Sequence, residues 1–143
     1  MVGFAEKKSR AHTPHLAGED KLNSMQSRYV EVEQLPWKPT QAKGIDMKIL
    51  LQDKETGLMT ALFRWQPGAR LPLHEHVEIE QTFVLQGSIV DDEGEAREGN
   101  YVWRPRGHRH YAVSPHGALV LSMFLRPNIF LEEFKDETIG GSV

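Results

Sequence analysis

A chain of 143 residues, 39% hydrophobic and 26% charged, has the size and make-up of one soluble globular domain and is neither disordered nor collagenous. Its formal net charge of -3 leaves no basic footprint for nucleic acid, and no apolar run approaches the roughly 18 residues of a membrane helix. It has no cysteine, which excludes disulfides, thiolate metal sites, iron–sulfur clusters and Cys nucleophiles, so any transition metal must sit on His, Asp or Glu.

Residues 1–28 are polar and carry Pro14, Gly18 and charges of both signs, and they read as an N-terminal arm or irregular lead-in. They lack an apolar signal core, so a cytoplasmic protein is expected. His12 and His15 lie in this arm and read as solvated side chains. From Tyr29 the texture changes, and residues 29–143 are expected to form one domain. YVEVEQL (29–35) alternates like a strand with one wet face. β-like runs follow at 45–52, 58–66, 71–76, 79–90, 100–105, 110–114 and 118–125. Turn signals separate them: DKETG, QPGAR, DDEGEAREG (91–99), RPRG and SPHG. Many short strands without a long helical period predict an all-β sandwich or barrel. The tail IFLEEFKDETI (129–139) fits a last strand or a short helix equally well.

Two blocks carry the chemistry. The first runs Gly68-ARLPL-His74-Glu75-His76-VEI-Glu80-QTFVLQ-Gly87. Strand side chains alternate between faces, so His74 and His76 point the same way and Glu75 points away. Gly68 suits the turn before this strand and Gly87 a tight turn after the next. Glu80 can come alongside the histidines from the returning strand. Glu78 shares the parity of His76 and rivals it. The second block runs Gly99-NYVWR-Pro105-Arg106-Gly107-HR-His110. Pro105 and Gly107 mark a turn, and His110 can enter the same interior from the strand that follows. His108 shares its parity and is an extra candidate, ligand or not.

These blocks resemble the paired motifs of the cupin superfamily, G-x5-H-x-H-x3/4-E-x6-G and G-x5-P-x-G-x2-H-x3-N. The first matches at every defined position. The second matches to His110 and then departs, with Ser114 where Asn is usual. The resemblance covers about residues 58–127. It implies a cupin double-stranded β-helix, a jelly-roll barrel with the N-terminal arm attached. It also implies that His74, His76, Glu80 and His110 line the interior around one divalent transition metal. Fe(II) is expected there, with Zn, Mn, Ni and Cu as alternatives.

Around this set, Tyr101 with Trp103, Phe83 with Leu85, and Phe63 with Trp65 each share a face, and some of them are expected to wall an apolar pocket. Gln81, Arg64, Tyr101, Trp103, Arg104 and His108 are candidates to touch substrate or the ligands. Any of Arg104, Arg106 and Arg109 that turned inward would hold a carboxylate or enolate.

Within the cupins, the stretch from Gly68 to Tyr111 looks like the subgroup of acetylacetone dioxygenases and the cupin domains of certain anti-sigma factors. The first likeness implies Fe(II), O2 and cleavage of a carbon–carbon bond in a small β-dicarbonyl compound. Enzymes of that group use three histidines, so a metal-bound Glu80 would be a departure. The second implies a non-catalytic metal-binding sensor of small molecules. Without cysteine, the chain cannot include the zinc-binding domain of a complete anti-sigma factor. A homodimer is expected, with the arm and residues 29–34 at the interface.

Overall fold

The computed structural model describes residues 10–134. Ten strands follow one another: β1 (Lys38–Pro39), β2 (Ile45–Gln52), β3 (Met59–Trp65), β4 (Ala69–Glu75), β5 (Glu80–Val90), β6 (Glu95–Arg97), β7 (Tyr101–Arg104), β8 (Arg109–Ser114), β9 (Ala118–Phe124) and β10 (Ile129–Phe130). Two single 3-10 turns, Glu19–Lys21 and Val32–Gln34, complete the elements, and there is no α-helix among the described residues.

All pairings are antiparallel and run in the order β1-β2-β3-β9-β5-β8-β4-β10, with β6 and β7 also paired to β5. The long strand β5 makes the curl. Its first half lies between β7 and β9, and its last residues pair with β6 and β8. One sheet therefore folds over on itself, which is the jelly-roll arrangement the motifs imply. Gly87 is not the turn expected of it. It sits inside β5 at φ 72°, next to an irregularity between Val84 and Gln86. A Cβ there would lie 2.0 Å from the Gly117 carbonyl oxygen, so two backbones cross where no side chain fits.

Alternation along the strands sets the core. Ala61, Phe63 and Trp65 of β3 pair with Ser122, Val120 and Ala118 of β9 on the inner face. Trp65, Ala118 and Val120 belong to one buried cluster with Ala42, Ile45, Ala69, Val84, Ile89 and Ala112. The small residues let the two halves of the curl approach, and the larger ones fill between them.

Two expected elements differ. Residues 29–35 form no strand. They cross the outer face of β2 and β3, where Lys48 Nζ donates to the Val32 carbonyl at 2.8 Å and Leu35 is buried. The Trp37 ring that follows lies under Arg64 and Lys48, at 4.2 and 4.9 Å from its centroid. Alternation there reflects a segment with one face on a sheet rather than membership of it. Conversely, β6 lies inside the 91–99 stretch read as a turn. Asp91 Oδ1 accepts from the backbone N–H of Glu93 and Gly94 and closes a hairpin tight enough to leave room for three paired residues. In the tail, Ile129 and Phe130 pair with Glu75 and His74, and residues 135–139 lie outside the described residues.

Candidate metal centre

Three of the expected ligands meet. His74 in β4 and His110 in β8 are direct cross-strand partners, and His76 follows β4 by one residue on the same face. Backbone hydrogen bonds from His76 N–H to the His108 carbonyl and from Gly107 N–H to the His76 carbonyl hold that residue against the turn before β8. The ring centroids are 4.5 to 5.0 Å apart, and each histidine offers a nitrogen within 4.8 Å of the others. All three residues are buried.

What holds each ring decides which nitrogen is free. Pro72 has no N–H for the ladder, and the β4–β8 pairing shifts register between Leu71 and His74. The Pro72 carbonyl accepts from His74 Nδ1 at 2.7 Å. Asp91 Oδ2 accepts from His110 Nδ1 at 2.8 Å. Glu80 Oε2 lies 2.9 Å from His76 Nδ1, a close charge contact that is not aligned as a hydrogen bond. Every one of these neighbours is an acceptor, so the proton of each ring belongs on Nδ1 and the lone pair on Nε2.

Electrostatics reinforce this. Burial pushes His110 down to about 4, only partly opposed by Asp91, and the nearby His74, Arg104 and His76 act in the same direction as burial. Burial likewise lowers His74, against the Pro72 hydrogen bond. Both are therefore neutral at physiological pH. Burial alone would raise Glu80, but His76, the Thr82 hydroxyl and His74 together hold it below its usual range. Burial would also raise Asp91, which His110, Arg104 and two backbone N–H groups bring down.

The consequence is a cluster of acceptors with no donor. His76 Nε2 and His110 Nε2 face each other at 2.9 Å. Two lone pairs at that separation repel unless a cation lies beside them, and three imidazoles in one space suit a divalent transition metal. The residues present fit such an ion.

Glu80 is brought to the cluster, with both oxygens engaged on the side away from the converging Nε2 atoms. One meets His76 and the other accepts from Thr82 Oγ1 at 2.9 Å. Thr82 in turn shares a 2.8 Å hydrogen bond with Ser122. Glu78 pairs outward with Arg106 at 3.5 Å. His108 stacks on His76 at 6.0 Å and turns its Nε2 to Glu93.

A cavity of about 570 Å³ opens from His74, His110 and Glu80, and Phe63, Trp65, Leu71, Val120, Phe124 and Phe130 are among its walls. The other aromatics go elsewhere. Tyr101 and Trp103 are exposed on the outer face, Gln81 accepts from the Tyr101 hydroxyl at 2.8 Å, and Phe83 and Leu85 lie on that face too. Arg106 and Arg109 are exposed. Arg104 alone of the three turns inward, lining the cavity with its Nη1 2.7 Å from Asp91 Oδ2. Asp91 and Pro72 were not singled out from sequence. Asp91 lies in a D-D-E-G turn, and nothing local signals that it reaches His110.

A curled antiparallel sheet with a histidine cluster at one end of its cavity defines a cupin. Residues 25–128 match the family model of the ChrR cupin-like domain, and the chain belongs to that family. No curated protein matches it. Among solved structures, it is similar to a Methylibium petroleiphilum PM1 protein provisionally assigned as an acetylacetone dioxygenase. The two are 25% identical with a TM-score of 0.70, over 80% of this chain and 88% of the other. It also shares its fold with an acetylacetone dioxygenase from Acinetobacter johnsonii, at 21% identity and TM-score 0.67 over 83% and 86% of the two chains. A chain in the complex of Rhodobacter sphaeroides SigE with the anti-sigma ChrR matches at 22% and 0.57, over 66% of this chain and 51% of that one.

Proposed function

We propose that this protein is a metal-dependent dioxygenase that cleaves a carbon–carbon bond in a small β-dicarbonyl compound, with Fe(II) as its metal and O2 as co-substrate. The observation that carries the reading is the meeting of three buried imidazoles, two of which, His74 and His110, line a largely apolar cavity. Bound there, Fe(II) would supply activation of dioxygen and a chelating point for the two substrate oxygens.

The chain's own residues do the rest. His74, His76 and His110 hold the ion. Pro72, Glu80 and Asp91 fix the three rings from behind, as carboxylates and carbonyls do at metal-bound histidines. With its oxygens engaged by His76 and Thr82, Glu80 serves this reading better as the anchor of His76 than as a fourth ligand. Phe63, Val120, Phe124 and Phe130 exclude water from the reacting carbons. The similarity to two proteins described as acetylacetone dioxygenases supports the substrate class.

The protein also works, in this reading, as a cytoplasmic homodimer. No described helix is long and apolar enough to cross a membrane. Met25 and Tyr29 are 88% and 89% exposed in the segment before β1 and offer apolar contacts to a second copy.

The test is to load metal-free protein with Fe(II) under nitrogen, add 2,4-pentanedione, admit air and follow oxygen. Consumption with loss of the enol absorbance is expected. Tight binding without consumption would instead favour a second reading, a small-molecule sensor, which the family's likeness to the anti-sigma ChrR supports.

A further inference from the structure

Arg104 ends β7, whose alternation sends Tyr101 and Trp103 outward and Val102 and Arg104 inward. Its side chain is only 11% exposed. Its Nη1 meets Asp91 Oδ2, and no other partner engages the guanidinium among the described residues. Asp91 is saturated. Oδ2 serves His110 and Arg104, and Oδ1 serves the N–H groups of Glu93 and Gly94. The carboxylate therefore fixes the guanidinium in place and takes nothing further from it. The Nε–Nη2 edge of Arg104 is left without a protein acceptor in a side chain that lines the cavity. Charged donors that face a cavity without a protein acceptor are completed there by a ligand or by water.

Charge balance and donor geometry together say which ligand. A divalent ion on three neutral histidines brings two positive charges and Arg104 brings one. Glu80 and Asp91 each remove one. One positive charge is left over in a site walled mainly by apolar side chains, where an uncompensated charge is expensive. A monoanion closes the balance, and an enolate on the ion would do so as well as a carboxylate, so the choice between them falls to donor geometry. The free guanidinium edge is a planar pair of N–H donors whose spacing matches the two oxygens of a carboxylate.

We propose that the cavity takes an oxo acid, a dicarbonyl compound bearing a carboxylate, with that carboxylate held by the free edge of Arg104 and its carbonyl end towards the three histidines. This rests on the metal-dependent reading above and narrows its substrate class from neutral β-diketones to their carboxylated relatives. Arg104 is then a specificity-determining residue, and Asp91 sets the direction in which it points.

The experiment is calorimetric titration, under nitrogen, of the Fe(II)-loaded protein with 2,4-pentanedione and with 2,4-dioxopentanoate, which adds one carboxylate to the same diketone. The wild type is expected to bind the carboxylated compound at least about tenfold more tightly, since a charge-assisted bidentate contact is worth that much or more. Arg104→Gln should abolish the preference, the ratio of the two affinities falling to within about twofold of one. Arg104→Lys keeps the charge but not the fork and should lower the preference several-fold. Metal content and melting temperature, measured on both variants, show whether the site is intact, and Arg104→Lys decides the matter if Arg104→Gln loses metal. Equal binding of the two compounds by the wild type overturns the proposal, as does binding of neither or a preference undiminished in the intact variants. No oxygen is consumed in these titrations. A failure of dioxygenase turnover with the preference intact would thus remove the reaction and keep the subsite.

Discussion

Strands β5, β7 and β9 carry two different surfaces back to back. The inner one presents Glu80, Thr82, Val84, Arg104, Val120 and Ser122 to the cavity and core. The outer one presents Phe83, Leu85, Tyr101 and Trp103, each 39% exposed or more. Polar groups face in and aromatic rings face out, the reverse of what a plain hydrophobic core requires, and a buried polar group or an exposed apolar patch is what calls for explanation. The inner polarity suits a site for an ion and a ligand. The outer face divides again. Over β2 and β3 the chain's own Val32, Leu35 and Trp37 cover it, and over β5 and β7 none of the described residues does. The same alternation thus builds a site on one side and leaves a sticky half-face on the other.

The strongest way to break this contrast is to alter both sides and measure metal. His76→Ala and His110→Ala each remove a converging nitrogen, and elemental analysis should show at least about a tenfold loss of bound metal. Tyr101→Ser, Trp103→Ser, His12→Ala and His15→Ala should leave metal content unchanged. Equal losses across both groups would mean that the three histidines are not the site. Next in size is Asp91→Asn. The amide cannot match a carboxylate as partner of both His110 and Arg104, so affinity should fall by about 10- to 100-fold in competition with a chelator. An affinity within twofold of the wild type would show that the ring of His110 needs no such support.

The histidine cluster was legible in the sequence because its members are local. His74 and His76 are two apart on one strand, and the Pro105–Gly107 turn delivers His110. Most of the strands and the all-β class followed from alternation and turn residues, whereas the strand order did not. What could not be read are the contacts that cross the curl. Asp91 reaches His110 across 19 residues, and Arg104 reaches Asp91 only because β5 passes from one half of the sheet to the other. Of the three aromatic pairs that could wall the pocket, Phe63 and Trp65 do so, joined by Phe124 and Phe130, while Tyr101 and Trp103 face outward because alternation places them opposite to Arg104.

A smaller effect sharpens the same contrast by stability. Val84 is completely buried and Trp103 is 55% exposed on neighbouring strands of the same sheet. Val84→Ala should cost about 2 kcal/mol through lost burial and the cavity left behind. The larger truncation Trp103→Ala should cost about 1 kcal/mol or less in dilute protein. Urea midpoints measure both. A Trp103→Ala loss that exceeds the Val84→Ala loss and grows with protein concentration would mean that a second copy covers the outer face.

The smallest effect lies in the segment that leads to the covered half of that face. Arg28 is bound to Glu19 through Nε at 3.0 Å and Nη2 at 2.9 Å, and Glu19 Oε1 accepts the Thr13 N–H at 2.6 Å. Thr13 Oγ1 donates to the Leu50 carbonyl at 2.7 Å, and His12 bridges to Gln52, so this pair ties residues 12–28 to β2. The hydrogen bond from Arg28 is the main reason that the Glu19 carboxyl lies below its ordinary 4.5, with burial opposing it and the Thr13 N–H assisting. A carboxyl held lower in the folded state than in the unfolded one stabilises the fold above the unfolded pKa. That contribution is lost as pH falls through the folded pKa. Glu19→Gln should therefore lower the melting temperature slightly at neutral pH, and the gap to the wild type should close as the pH is taken below 4.5. Melting curves of the two proteins across that range measure it. A gap that is constant with pH would assign the effect to packing, and no gap at any pH would mean that the lead-in segment is not held by this pair.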